Sequence, residues 1–371
     1  MGDTFQVMFG DPGQAAPAWF YDLFTSLEVE ENADLPGAIE ITLPIATMGA
    51  AGSEDLTNIG RDEFQPYARI AVVATPESGT SECIFEGYVL SHKIHLDRGT
   101  TAATLRVWGQ DVSCLMNLKE QVHEWEDTTD GKTANVIFQS YGFIAADANT
   151  DDDSPQHTKS GHTLMQRATD AQFLRDRARR NGKLFRVCCG ATPGSNTGYF
   201  ITPKIDSTPD DVPLTLNPPD AATVDALDFE WDIARPSTAL AKVLLLTSKD
   251  SQSGDSAQSG LSPMDARSLA AFTGQTDKAM EARLTAAADS TSELQRLSAA
   301  LLTEAGWFVR CEGETDLARL HKVLRVGRVV QINGAGKVHS GNYFVWSVRH
   351  TITAQAHRMR FVLVRNAVGS P

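Results

Sequence analysis

The residues best equipped for chemistry in this sequence are dispersed, and their spacing does not assemble them. His92 and His95 lie three apart in a β-branched run, so strand alternation sends them to opposite faces and denies them a common metal. Asp151, Asp152 and Asp153 stand near Asp147, His157 and His162, but the glycine and glutamate of a calcium loop are missing. The stretch 145–161 therefore reads as a solvated acidic loop. Cys188 and Cys189 are adjacent in a strand pattern, face opposite ways and read as packing residues. Arg175, Arg177, Arg179 and Arg180 give one helix a basic face, read as solvated or as an interface. Trp307 and Trp346 sit in strand patterns and read as core. Glu124 and Asp127 are a carboxylate pair of the kind any acidic protein offers. The chain has no His-Glu-x-x-His, no phosphate loop, no Gly-x-Ser-x-Gly and no dinucleotide glycine fingerprint. The expectation is no catalytic, cofactor-binding or metal site, and no enzyme.

The elements that would position such residues are mostly strands. At 371 residues, 42% hydrophobic and 22% charged, the composition is that of a folded soluble protein of two to three domains. The formal net charge of −14 opposes general binding to nucleic acid or anionic membrane. No apolar run approaches the ~20 residues of a membrane helix. The N-terminal residues, Met1-Gly-Asp-Thr-Phe-Gln-Val, lack the basic and hydrophobic segments of a secretory signal. Cys83, Cys114, Cys188, Cys189 and Cys311 are odd in number and form no Cys-x-x-Cys, which fits reduced thiols in a cytoplasm.

One hairpin organises the rest. Residues 342–353 and 358–365 are rich in β-branched and aromatic side chains, with a short polar joint between them. Alternation in the first run sets Phe344, Trp346 and Val348 on one face and Ser347, Arg349 and Thr351 on the other. An echo lies upstream. With Tyr88 set against Phe344, residues 88–96 fall under 344–352, and without a gap Leu105–Trp108 fall under Phe361–Val364. Arg69-Ile-Ala-Val-Val73 matches Arg328-Val-Val-Gln-Ile332 after a three-residue slip. A long fixed spacing indicates duplicated domains rather than a solenoid.

The remaining chain divides around these two copies. Residues 1–112 are mainly β, with strands at 5–9, 27–30, 39–43, 69–75, 83–96 and 102–109 and a long loop at 46–62. Short antiparallel strands at this spacing suggest a small barrel or sandwich, the first of two. Residues 113–190 form an α/β insert, with helices expected at 112–126, 133–141 and 171–181. Asp170 is expected to cap the last of these, and Gly182 to end it in a left-handed turn. Residues 191–371 form the second barrel. It includes a linker at 191–225, a loop at 248–263 expected to be mobile, and a helical insert at 275–306 with helices at 276–288 and after the capping box Ser290-Thr-Ser-Glu293. The fold class is α+β, mainly β, with two small antiparallel barrels or sandwiches and small α/β inserts.

These residues resemble the baseplate hub proteins of contractile phage tails, the late-control-D type, related to the N-terminal part of type VI secretion spike proteins and to hubs of phage-derived injection systems. The likeness rests on Gly341-Asn-Tyr-Phe-Val-Trp-Ser-Val-Arg-His-Thr with Phe361-Val-Leu-Val-Arg-Asn-Ala, on residues 170–186, and on Phe85-Glu-Gly-Tyr-Val. The resemblance implies two tube-like antiparallel β-barrels per chain with small α/β inserts, in a homotrimer whose six similar barrels join a hexameric tail tube to a trimeric central spike. The implied partners are that spike, a tail tube or tube-initiator protein and baseplate wedge proteins. DNA or an effector would pass through a bore, and no membrane would be engaged. The acidic balance leads us to expect an acidic bore. The implied location is a virion tail baseplate or injection particle assembled in the bacterial host cytoplasm. Because the sequence stops at Pro371, just past the second barrel, the spike is expected to be a separate polypeptide. The alternatives are a tail-associated cell-wall hydrolase or a peripheral host-surface-binding protein.

Overall fold

The computed structural model describes residues 4–370 except 11–12, 46, 49–54, 97–102, 146–148, 160–162, 245–250, 277, 286–287 and 289. The chain is mainly β, in the α+β class. Its first half supplies β1 (Thr4–Phe9), β2 (Ser26–Asn32), β3 (Ala38–Pro44), β4 (Arg69–Thr75), β5 (Glu82–His95) and β6 (Thr104–Asp111). The insert supplies β7 (Glu120–Trp125), α1 (Asp130–Ser140), β8 (Leu164–Thr169), α2 (Asp170–Arg180), β9 (Leu184–Cys189) and β10 (Asn196–Ile201). The second half supplies β11 (Leu227–Trp231), β12 (Thr238–Leu244), α3 (Leu269–Thr276), β13 (Glu281–Leu284), α4 (Thr291–Ala305), β14 (Val309–Asp316), β15 (Val329–Asn333), β16 (Gly341–Ile352) and β17 (His357–Arg365).

Eleven of these strands lie in one 13-stranded sheet, in which β11-β14-β17-β16 continue directly into β2-β3-β6-β5-β4-β1, with β15 beside β16. Alternation builds it. In β2 and β3 every second residue is buried, and Leu27, Val29, Ile39, Ile41 and Leu43 are almost fully enclosed. The apolar side chains of both halves form one continuous cluster, from Val7 and Phe20 to Phe361 and Leu363. The insert has its own smaller cluster around Phe138, Leu174, Phe185 and Phe200.

The two halves repeat one unit. The sheet order β2-β3-β6-β5-β4 in the first matches β11-β14-β17-β16-β15 in the second, with the same chain order through both. Both long strands carry a bulge at the equivalent place, Leu90 in β5 and Trp346 in β16. Val89 and Val345 each bond in the same way to the chain that leads into β4 or β15, and Tyr67 and Gly327 both occupy positive φ there (63° and 82°). Leu27-Glu-Val-Glu30 lies at the register of Leu227-Asp-Phe-Glu230. The turns that follow are alike too. Asn32 Oδ1 accepts from the Asp34 amide at 3.0 Å, and Asp232 Oδ1 from the Ala234 amide at 3.1 Å.

Register also corrects three sequence alignments. Ser91 opposes Trp108 as Ser347 opposes Val362, so Trp108 corresponds to Val362, and the ungapped match was two residues off. A two-residue slip keeps every side chain on its face, which is why it left no trace in the pattern. Arg69 opposes Tyr88 as Val329 opposes Phe344, so the match of β4 to β15 needs a slip one residue larger. The bulge at Trp346 shifts the alternation of β16. Tyr343 and Val345 share the core face with Val348, while Phe344 lies on the other face, stacked on Trp307 at 5.8 Å.

Some helix expectations gave way to strands. Asp111 accepts from the Ser113 amide at 2.9 Å and starts a short 3-10 turn, Val112–Asn117. The residues after it form β7, paired with β8. Residues expected in the helix 276–288 include β13, parallel to β12, with α3 ending at Thr276. Helix α2 is capped by Thr169, which accepts from the Gln172 amide, and not by Asp170. Gly182 takes the expected left-handed conformation, and Ser290 caps α4 by accepting from the Glu293 amide at 3.2 Å. β10 pairs with β9, so the insert's sheet runs into the segment read as a linker. Within 248–263 the described residues are hydrogen-bonded to β12 and α4, with Ser298 Oγ donating to the Gly254 carbonyl at 2.7 Å.

Candidate interaction site at the junction of the two units

The two units meet where β16 pairs with β2, antiparallel from Ser347 opposite Asn32 to Ile352 opposite Leu27. The first part of β16 pairs with β15 and the last part with β2, so one long strand serves both units. On the polar face of this junction Arg349 donates to Glu30 at 2.7 Å. Similar cross-strand pairs continue along that face: Arg106 with Glu40 at 3.7 Å, and Arg358 with Glu314 at 3.3 Å. The face thus alternates cations and anions and is not predominantly acidic.

Below the junction lies a buried ionic network. Arg325 donates to both oxygens of Glu31 at 2.9 and 3.0 Å and to Glu82 at 3.1 Å. Arg328 donates to the same Glu82 at 3.0 and 3.2 Å. Glu31 lies on β2 and Glu82 on β5, while both arginines precede β15, so the network ties the first unit to the second. His350 Nε2 stands 3.3 Å from Glu31, and its Nδ1 is 3.0 Å from His357 Nε2. Arg325 also faces Cys189 Sγ at 3.8 Å, bringing in the insert.

Burial raises the cost of charge throughout this network. It pushes the Glu31 carboxyl up, but the Arg325 guanidinium and then His350 outweigh it and hold that carboxyl below its ordinary value. Burial likewise opposes the Arg325 cation, and Glu31 and its neighbours overcompensate. His357 is pushed down to about 3 by burial and by His350 beside it, so it is neutral at pH 7.

The residues singled out from sequence do not converge here. His92 and His95 lie on the outer half of β5, on opposite faces. Asp147 and His162 lie outside the described residues. The neighbouring acids are bound to protein groups. Asp151 accepts from the Thr202 amide at 2.7 Å, Asp152 is 3.6 Å from Lys132, and Asp153 pairs with Lys183. His157 is 3.1 Å from Asp130, whose carboxyl is also held by Arg177 and Asn181 and lies far below its ordinary pKa despite burial. The arginine face is engaged within the chain: Arg175 and Arg179 hold Asp34, and Arg180 holds Glu293 at 2.8 Å. Cys189 donates to the Cys83 carbonyl at 2.7 Å. Glu124 and Asp127 are exposed. Trp307 is buried beside Phe344 and Trp346.

The junction residues Glu31, Arg325, His350 and His357 escaped sequence reasoning. Glu31 and Arg325 lie 294 residues apart, beyond any spacing rule. His350 shares the core face with Val348 and Ile352, beyond the bulge. Its one signal was a histidine placed two residues from Val348 and two from Ile352 in an apolar alternation.

Among known proteins, solved structures share this architecture. A family model described as the Alg8 N-terminal domain matches residues 26–194, less than half of the chain. No curated protein matches. Similar solved structures include a 43 kDa tail protein of prophage MuSo2 from Shewanella oneidensis, at 12% identity and a TM-score of 0.64, covering 99% of this chain and 100% of that one. A tail protein from Neisseria meningitidis matches at 11% identity and a TM-score of 0.64, covering 99% and 97%. The E. coli c3393 protein, described as a type VI secretion component with structural similarity to T4 bacteriophage tail proteins, matches at 12% and 0.55, covering 94% and 76%. The chain shares the fold of these tail and secretion proteins.

Proposed function

We propose that the chain is the structural baseplate hub of a contractile tail or injection machine, a homotrimeric adaptor joining a hexameric tail tube to a trimeric central spike. The observation that carries this reading is the repeated unit: two halves of one sheet with the same strand order, bulge position and turn chemistry in one chain. Three such chains would offer six similar units around one axis. The likeness to tail proteins over nearly the whole chain supports it.

The hub would have no chemistry of its own. Its partners would be a spike, a tail tube or tube-initiator protein and wedge proteins, in a virion baseplate or injection particle assembled in the bacterial host cytoplasm. Translocating DNA or an effector would pass along the polar face of the sheet. Paired charges of both signs there leave little net charge to hold a polyanion. Native mass spectrometry of the purified chain and electron microscopy of the assembled particle test the reading. A trimer and a ring at the tube–spike joint are expected. A monomer at high concentration, with no ring in the particle, overturns it.

A further inference from the structure

The sheet has two open ends, and the internal repeat says what each end fits. β5 has a strand beside it only as far as Val89, so from Ser91 to Ile94 that edge carries no paired strand among the described residues. Its equivalent in the second unit is the part of β16 that β2 covers. At the other end β11 pairs with β14 alone, and β11 is the equivalent of β2. The junction already built inside the chain is therefore half present, in complementary form, at each end.

Burial agrees. Val348 and His350 in β16 are fully enclosed by β2, while His92 and Ile94, which match them, are exposed and half-buried. Leu27 and Val29 are fully enclosed, while Leu227 and Phe229 are only half-buried. Ala33, whose amide donates to the Trp346 carbonyl across the junction, is buried, but its equivalent Ile233 is 55% exposed, and Leu96 at the other end is also 55% exposed.

We infer that β5 of one copy pairs antiparallel with β11 of a second copy, in the register of the internal junction, from Ser91 opposite Asp232 to Leu96 opposite Leu227. That register sets Lys93 against Glu230, where the internal junction has Arg349 against Glu30. Neither Lys93 nor Glu230 has an ion-pair partner among the described residues, and Lys93 lies opposite the like-charged Arg106. It sets Ile94 against Phe229 on the core face. A lysine on an open edge ordinarily guards it against pairing. Here an acidic strand of equal reach answers it. The contact is heterologous, so it closes a ring, and the closure at three copies rests on the hub reading above.

Cysteine cross-linking of the full chain tests this. Lys93→Cys with Glu230→Cys, oxidised and run without reductant, is expected to give a ladder ending at a closed trimer. Each single variant should give none, because the native cysteines are not exposed. A mixture of the two single variants should stop at dimers. Charge reversal, Lys93→Glu, should weaken assembly about two- to fivefold per seam, and adding Glu230→Lys should restore it. A ladder stopping at another number keeps this seam and overturns the trimeric hub. A wild-type trimer with no ladder overturns the seam alone. A monomer with no ladder overturns both.

Discussion

Cutting the junction at Arg325 should destabilise the whole chain, because it leaves the buried Glu31 carboxylate without its guanidinium partner. The Arg325 side chain is 9% exposed and Glu31 10%, so both charges have lost most of their water. Arg325→Met keeps the stem's packing and removes the guanidinium. Glu82 would keep Arg328, but Glu31 would keep only His350, at 3.3 Å. One-sided loss of a buried pair costs on the order of 3–5 kcal/mol. Glu31→Gln in the same chain removes the stranded charge and should recover about 2 kcal/mol of that. Arg349→Met, on the exposed face of the same junction, should cost under about 1 kcal/mol. Urea unfolding followed by tryptophan fluorescence reads all three, with Trp307 and Trp346 beside the junction. The acid dependence has a definite sign. Glu31 has a lowered pKa, so its stabilisation is present above the ordinary carboxylate range and is lost as pH falls through the folded value. Arg325→Met should lose that dependence. A cost below about 1 kcal/mol for Arg325→Met, or a double variant costing the sum of the singles, refutes a stabilising buried pair here.

Two further outcomes are expected. His357, held down at about 3 against an ordinary 6.5, must stay neutral in the fold, so stability should drop as pH falls from about 6.5 toward 3. The drop is as much as about 5 kcal/mol at ~1.4 kcal/mol per pH unit, and His357→Gln should flatten it in acid-unfolding curves. Gly87→Ala should destabilise by about 2 kcal/mol or more in thermal melts, because its Cβ would lie 2.0 Å from the Gln110 carbonyl oxygen across β5 and β6. A neutral Gly87→Ala would mean that these strands stand further apart.

The sequence made local features legible and long-range ones opaque. The hairpin of β16 and β17, α2 with its glycine stop, and the Ser290 cap are short-range patterns whose physics is complete within a few residues. The strand identities in both units followed from alternation. Their register did not, because period-two patterns are blind to a two-residue slip and a bulge changes parity without changing composition. β7 and β13 read as helices because their partners β8 and β12 lie some 40 residues away in the chain and override propensity. The arginines of α2 looked like a surface face, since Asp34 and Glu293 are brought to them only by the fold.

The internal junction and the proposed seam share a backbone plan but differ in chemistry, and the difference has a cause. The internal junction forms once, during folding of one chain, and is never exposed in the native state. It can therefore bury Glu31 against Arg325 and enclose Val348 completely. The edges at Ser91 and at Leu227 must first exist in water on a free copy. There the core positions hold His92 in place of Val348 and Trp231 in place of Glu31, groups with both an apolar body and a polar tip. The acids Asp228, Glu230 and Asp232 keep β11 soluble and repel a second β11, while Lys93 repels a second β5. Like edges are thus kept apart and unlike edges drawn together, the bias that a head-to-tail ring requires.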